Sequence, residues 1–142
     1  AFMYGISNPD KSSTCEMVYD FIMESGYNKH ISLDVATCLY TGMMTDTGSF
    51  RFPITTASVH KAVAHFKELG LQHTHIHENI YDNFHENRLQ FLGFVLLNRM
   101  EILYEYNTAL IAITKKDISQ FHIQTGDTEG LVNYPLSIQG IK

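Results

Sequence analysis

The hydrophobic period of this chain changes once, near Arg99, and that change most constrains what it can fold into. Before Arg99, apolar residues recur at three- and four-residue spacing between helix-start and helix-stop signals; after it they alternate or run together as strands do. Ser13 with Glu16 reads as a capping box, with Met17, Val18, Phe21 and Ile22 as the apolar positions of a first helix that Gly26 ends. Ser32 and Asp34 start a second helix with Val35, Ala36, Leu39 and Met43 as its buried stripe. Thr55 or Thr56 starts a third, with Val59, Val63 and Phe66 inward and Gly70 as its stop. Two more helical patterns run over about residues 76–83 and 86–98. Beyond the change, residues 101–106 and 108–113 read as a hairpin about Asn107, 115–121 as a short helix, and 132–138 as a further strand-like run. The expected class is therefore α/β: a mainly helical section over residues 1–98, then the start of a small α/β section over 99–142.

Two short pieces complete the pattern. Residues 1–10 read as a strand end followed by a turn at Asn8, Pro9 and Asp10, and residues 49–52 as an extended piece stopped by Pro53. The last residues, 138–142, read as a strand cut midway, so both ends suggest a piece of a longer chain.

At 142 residues and 44% apolar composition the chain can bury a real core. Its formal charge of −5 argues against electrostatic binding to long nucleic acid, while leaving room to grip a few phosphates through a metal. No apolar run is long enough for a bilayer, and residues 1–10 lack the pattern of a secretory leader. Cys15 and Cys38 fall in apolar helical patterns and read as reduced core thiols, which points to the cytoplasm.

The chemistry concentrates in residues 39–52, LYTGMMTDTGSFRF. A buried helix there delivers Asp46 to a Gly-bounded turn. A carboxylate at the negative end of a helix dipole is badly placed for stability, and a divalent cation against it would reverse that. Thr47 and Gly48 would let backbone amides approach a phosphate, and Arg51 is the basic residue beside the turn. Each has a plainer reading: an Asx turn for Asp46, a solvated charge for Arg51. Ser12, Ser13 and Thr14 at a helix start are either an anion site, with Ser13 beside the substrate, or simply a cap.

Histidines abound. On a strand, His73, His75 and His77 would point one way and could ligate zinc; Gly70, Glu78 and Asn79 instead suggest a surface loop entering a helix, with no fixed metal, and that is the expectation. His60 and His65, five apart on a helix, are poorly spaced to share a ligand.

Residues 10–19 (DKSSTCEMVY) and 31–52 (ISLDVATCLYTGMMTDTGSFRF), taken together, resemble the DHH phosphoesterases, in particular the bacterial branch of oligoribonucleases and 3′-phosphoadenosine 5′-phosphate phosphatases. The resemblance runs over about 8–70, and more weakly through 90–98 and 129–133. It implies that 1–98 is the C-terminal part of the DHH catalytic domain with a linker helix, and that 99–142 begins the DHH-associated domain. It implies two metal ions, Mn²⁺ or Mg²⁺, that activate water against a terminal phosphate ester. Asp46 maps onto the Asp of the family's fourth metal motif. The three earlier motifs, including an Asp-His-His triplet found nowhere in this sequence, and the C-terminal Gly-Gly-Gly-His loop have no counterpart, so the chain alone is expected to be inactive. The implied substrates are short RNA or a small phosphorylated nucleotide. The alternatives are an exopolyphosphatase-like or cyclic-dinucleotide phosphodiesterase activity, or a homologue that holds nucleotide without hydrolysing it. The apolar run 91–97 with Met100 reads as a subunit contact, hence a homodimer.

Overall fold

The computed structural model describes residues 5–141, which divide between Asp82 and Asn83 into two compact units. The α/β expectation holds in its coarse form: the chain is mainly helical with one two-stranded antiparallel sheet. Packing divides the chain earlier than the change of period near Arg99. The helix over 86–98 sends Phe91 and Val95 into the second unit's own core.

The first unit holds four helices: α1 (Thr14–Glu24), α2 (Leu33–Asp46), α3 (Ala57–Glu68) and α4 (His73–Tyr81). Its core is centred on α2, whose Ala36, Leu39, Tyr40, Met43 and Met44 pack with Val59, Ala62 and Phe66 of α3, Ile76 of α4, and Ile31 and Leu71 between helices. At Gly42 a side chain would run into the thiol of Cys15, so glycine lets α1 lie close against α2.

Local chemistry sets the helix ends. Ser13 caps α1 by accepting from the Glu16 amide at 3.0 Å, and Ser32 caps α2 by accepting from the Val35 amide at 3.3 Å. At its far end α1 closes with the Gly26 amide on the Met23 carbonyl and the Tyr27 amide on that of Ile22, and α3 closes in the same way at Gly70.

The inward face of α1 is not the one its apolar run suggests. Val18 and Phe21 are 43% and 58% exposed, while Cys15, Tyr19 and Ile22 pack on the core and Glu16 is buried. A local run of apolar residues does not say which stripe meets α2 and α3. Likewise Cys38 is exposed and not a core thiol; both cysteines are free. Residues 49–52 are a turn and not an extended piece, and His73, His75 and His77 lie in the first turns of α4 and not in a loop. The turn at Pro9 and Asp10 is present; the strand end expected before it falls largely on residues 1–4, outside the described residues.

The second unit begins with α5 (Glu86–Asn98), which leads into the hairpin β1 (Met100–Leu103) and β2 (Thr108–Ile111), paired Met100 to Ile111 through Leu103 to Thr108. Asn107 takes the left-handed conformation, φ 50°, that closes the hairpin loop. Helix α6 (Lys115–Gln120) follows, and Phe91, Val95 and Leu131 form the buried centre with Phe94, Phe121 and Ile123 around them. Leu97 is 83% exposed, so only part of the 91–97 run is free to meet another surface.

The strand expected at 132–138 is two short 3-10 turns, Leu131–Asn133 and Pro135–Ser137. Pro135 lacks an amide for a ladder, and the neighbouring amides bond locally, Tyr134 to the Leu131 carbonyl and Ile138 to that of Pro135.

One ion pair organises this unit. Asp117 is buried; it receives two hydrogen bonds from Arg99, at 2.7 and 2.9 Å, and two from the amide and hydroxyl of Thr114, at 2.9 and 2.8 Å. The Arg99 guanidinium, and then the Thr114 amide, hold the Asp117 carboxyl well below the usual carboxylate range. A carboxylate depressed in the folded state contributes stability above its unfolded value of about 4 and loses it as pH falls below that value. Urea melts from pH 7 down to pH 2 are therefore expected to show the second unit weakening below about pH 4. Asp117→Asn should flatten that slope; an unchanged slope would count against the pair as its source.

Candidate functional site

The site is assembled at the C-terminal end of α2. Asp46 is the last residue of that helix and is exposed, and among the described residues its carboxylate has no ion pair or hydrogen bond. It therefore stands uncompensated at the negative end of the dipole, a placement that costs about 0.3–1 kcal/mol.

The helix stops in a two-bond cap: the Gly48 amide donates to the Thr45 carbonyl at 3.2 Å and the Ser49 amide to that of Met44 at 2.7 Å. Gly48 takes φ 57°, as this cap requires. The chain then does something the ends of α1 and α3 do not. Ser49 and Phe50 are also left-handed, at φ 60° and 64°, giving three such residues in a row. For a residue with a Cβ this conformation costs about 1–2 kcal/mol, so surrounding contacts must hold it.

Those contacts are visible. Thr47 is fully buried; its hydroxyl donates to the Met43 carbonyl at 2.6 Å and accepts from the Phe50 amide at 3.0 Å. The Phe50 ring lies 5.5 Å from Tyr40 of α2 and 6.1 Å from His60 of α3, centroid to centroid. Arg51 folds back, its Nε donating to the Gly48 carbonyl at 2.8 Å. Asp46, Thr47, Gly48 and Arg51 thus share one turn. The amides of Thr47 and Gly48 are both spent within it, on Met43 and Thr45, so they close the turn and are not free for a phosphate.

Ser13 lies at the start of α1, the helix packed along α2. Burial, followed by the charge of Asp46, pushes the Cys15 thiol up. The Ser13 hydroxyl is occupied by its capping bond. The residue that sequence reasoning missed is Glu16. Its carboxylate does not return to Ser13 as a capping box would have it. It accepts from the amide and hydroxyl of Ser12, both at 2.7 Å, from Ser58 of α3 at 2.9 Å and from Lys11 at 3.3 Å. Burial pushes this carboxyl up, but the bonds from Ser12, Ser58 and Lys11 win and hold it below its ordinary value. Glu16 so ties the start of α1 to the start of α3, and only the position of Ser58, forty-two residues away, reveals it.

The histidines are absorbed by other partners. His77 Nε2 is 3.0 Å from the Tyr40 hydroxyl, His65 Nδ1 3.0 Å from that of Tyr19, and His73 Nδ1 3.0 Å from Lys67 Nζ. Among the described residues no three His, Cys, Asp or Glu side chains come together where a metal ion could sit. The exposed Asp46 carboxylate is a hard oxygen donor of the kind Mn²⁺ or Mg²⁺ takes, and among the described residues no second carboxylate or His joins it.

No family model matches the chain. It is 27% identical over 135 residues to the bifunctional oligoribonuclease and PAP phosphatase NrnA of Bacillus subtilis, covering 92% of this chain and 41% of that protein. Its identity to the protein of the same name from Thermus thermophilus is 36% over 67 residues, 47% of this chain and 20% of that one. The crystal structure of an exopolyphosphatase-related protein from Bacteroides fragilis superposes with a TM-score of 0.91 at 37% identity, over 99% of this chain and 43% of the other. The chain spans less than half the length of each of these three. The similarity extends along nearly the whole chain, in sequence to an oligoribonuclease and PAP phosphatase and in fold to an exopolyphosphatase-related protein, in agreement with the DHH resemblance that residues 10–19 and 31–52 carry.

Proposed function

We propose that the chain is part of a metal-dependent phosphoesterase that hydrolyses short oligoribonucleotides, 3′-phosphoadenosine 5′-phosphate, or both. The observation that carries this reading is the exposed Asp46 carboxylate at the end of α2, unpaired among the described residues, in a chain whose relatives include two named as oligoribonuclease and PAP phosphatase. Two Mn²⁺ or Mg²⁺ ions, when bound, would supply a water acidic enough to attack at neutral pH and charge to neutralise the phosphoryl oxygens. Asp46 would hold one of them from a helix end already fixed by its cap, with ligands from sequence beyond these 142 residues completing the centre. Arg51, tethered to the Gly48 carbonyl, would keep a guanidinium beside the turn for a substrate phosphate. Thr47 and Gly48 then serve as the frame of that turn, and Ser13, at the start of the helix packed along α2, would be a substrate neighbour. We place residues 1–98 in the C-terminal part of the catalytic domain, with 86–98 as the helix that links it to the associated domain begun by 99–142, in a cytoplasmic homodimer.

Net acidity of −5 gives no counterion-release drive, so binding to this surface rests on the metal centre and a few contacts, which suits small phosphate-bearing nucleotides. The exopolyphosphatase-related neighbour favours polyphosphate as the second reading. The test is hydrolysis by the intact protein with Mn²⁺ of 3′-phosphoadenosine 5′-phosphate, a short oligoribonucleotide, a cyclic dinucleotide, polyphosphate and a long duplex, side by side. Turnover of the first two and neglect of the duplex are expected. Preference for the duplex would overturn the reading, turnover of polyphosphate alone would move it to the second, and binding without turnover would make the protein a nucleotide-holding homologue.

A further inference from the structure

We propose that Thr47 and Phe50 are positioning residues: together they clamp the left-handed Gly48–Ser49–Phe50 turn and so fix the direction in which Asp46 presents its carboxylate. This rests on the reading of Asp46 as a metal ligand. Among the described residues no other three consecutive positions share positive φ, and the ends of α1 and α3 stop cleanly after a single such glycine. A helix that only needed to stop would stop at Gly48. Here the backbone goes on through Ser49 and Phe50, and everything that holds it converges on the residues following Asp46. The Thr47 hydroxyl bridges the Met43 carbonyl, one turn back in α2, and the Phe50 amide, at the far end of the left-handed run. The Ser49 amide reaches the Met44 carbonyl, and the amides of Arg51 and Phe52 both reach that of Thr47, at 3.0 and 3.1 Å. The Phe50 ring anchors the run on Tyr40 and His60, which belong to two different helices. At the close of the turn the Phe52 ring covers Gly48 so tightly that a side chain there would strike it.

The consequence is a carboxylate whose backbone is braced on both sides. Behind Asp46 stands the α2 ladder; ahead of it stands a turn locked by a buried hydroxyl. A hard cation demands oxygen ligands held at fixed distance and angle, and an exposed side chain at a frayed helix end could not provide one without losing conformational freedom on binding. Strain accepted in the turn is thus what keeps that freedom low before the metal arrives. Neither Thr47 nor Phe50 need touch the metal or the substrate. They act through Asp46.

The experiment measures binding of Mn²⁺ alone to the intact protein, by calorimetry or by the electron paramagnetic resonance signal of the free ion, beside thermal melting. Asp46→Asn should abolish the site that contains it. Thr47→Val, which keeps the shape and removes the hydroxyl's bonds to Met43, Met44 and Phe50, should weaken Mn²⁺ binding about tenfold to a hundredfold, the usual range for residues that orient a ligand. Thr47→Ser, which keeps the hydroxyl, should stay within about threefold of the parent. Phe50→Leu leaves the hydroxyl in place and loosens the ring anchor; it should weaken binding in the same direction, and it decides the matter if Thr47→Val does not fold. Val59→Ala, a cavity in the same core that leaves the Thr47 hydroxyl and the Phe50 ring in place, should lower the melting temperature and leave Mn²⁺ affinity alone. Parent-like affinity in Thr47→Val and Phe50→Leu, with binding lost in Asp46→Asn, would overturn the positioning role and leave Asp46 as a ligand. Loss in Val59→Ala equal to that in Thr47→Val would also overturn it, since affinity would then follow stability. Parent-like affinity in Asp46→Asn would overturn the ligand assignment itself.

Discussion

Replacing Asp46 with alanine in the intact protein is expected to lower Mn²⁺-dependent hydrolysis by several orders of magnitude while leaving thermal stability unchanged or slightly raised. The two effects have separate causes. A ligand carboxylate removed from a two-metal centre takes with it both charge and geometry that the reaction needs. The same carboxylate stands exposed at the negative end of α2 with no cation beside it among the described residues, so its removal relieves about 0.3–1 kcal/mol of unfavourable dipole interaction in the metal-free protein. A residue that only capped or closed the turn would behave in the opposite way, with stability falling and turnover kept. Steady-state rates with saturating Mn²⁺, beside melts in chelator, separate the cases. Retained activity in Asp46→Ala would remove the residue from the metal centre.

Phe66→Ala is expected to cost the first unit about 3–5 kcal/mol, a large share of the whole stability of a domain. Phe66 is fully buried on α3, its ring meets Tyr19 of α1 edge-on at 5.2 Å, and it belongs to the cluster that includes Leu39 and Met43 of α2. It touches the arrangement of all three helices that frame the Asp46 turn. The cavity left by its removal can close only if α1 or α2 shifts, and α1 is already pressed against α2 at Gly42. Chemical denaturation of the variant checks this. A loss below about 1 kcal/mol would mean that the site collapses freely and that the core is looser than the structure has it.

What was legible in the sequence was local. Ser13 and Ser32 mark helix starts, and Gly26 and Gly70 mark helix ends, because a cap or a left-handed stop is settled by chemistry within four or five residues; Thr56 stands at the start of α3 without a capping bond. The hairpin about Asn107 and the short helix after Thr114 were legible for the same reason. So was the stripe of α2, where one face is apolar enough to leave no choice. Asp46 stood out through the residues around it, and the resemblance that those residues carry needed no coordinates.

The tertiary structure decided everything that depends on a distant partner. Whether Val18 or Tyr19 of α1 faces inward is set by where α2 and α3 lie, and Glu16 is buried because Ser58 lies within reach from α3. Residues 49–52 alternate like a strand, but a strand needs a neighbour to pair with; here a buried threonine hydroxyl and two aromatic anchors offered the backbone better bonds in a left-handed turn. Residues 131–137 made the same choice, curling into 3-10 turns about Pro135, where the amide that a ladder would need is missing. Capping and turn signals act over a few residues, whereas burial and pairing are settled only when segments far apart in the chain meet, and that meeting is what a single sequence does not display.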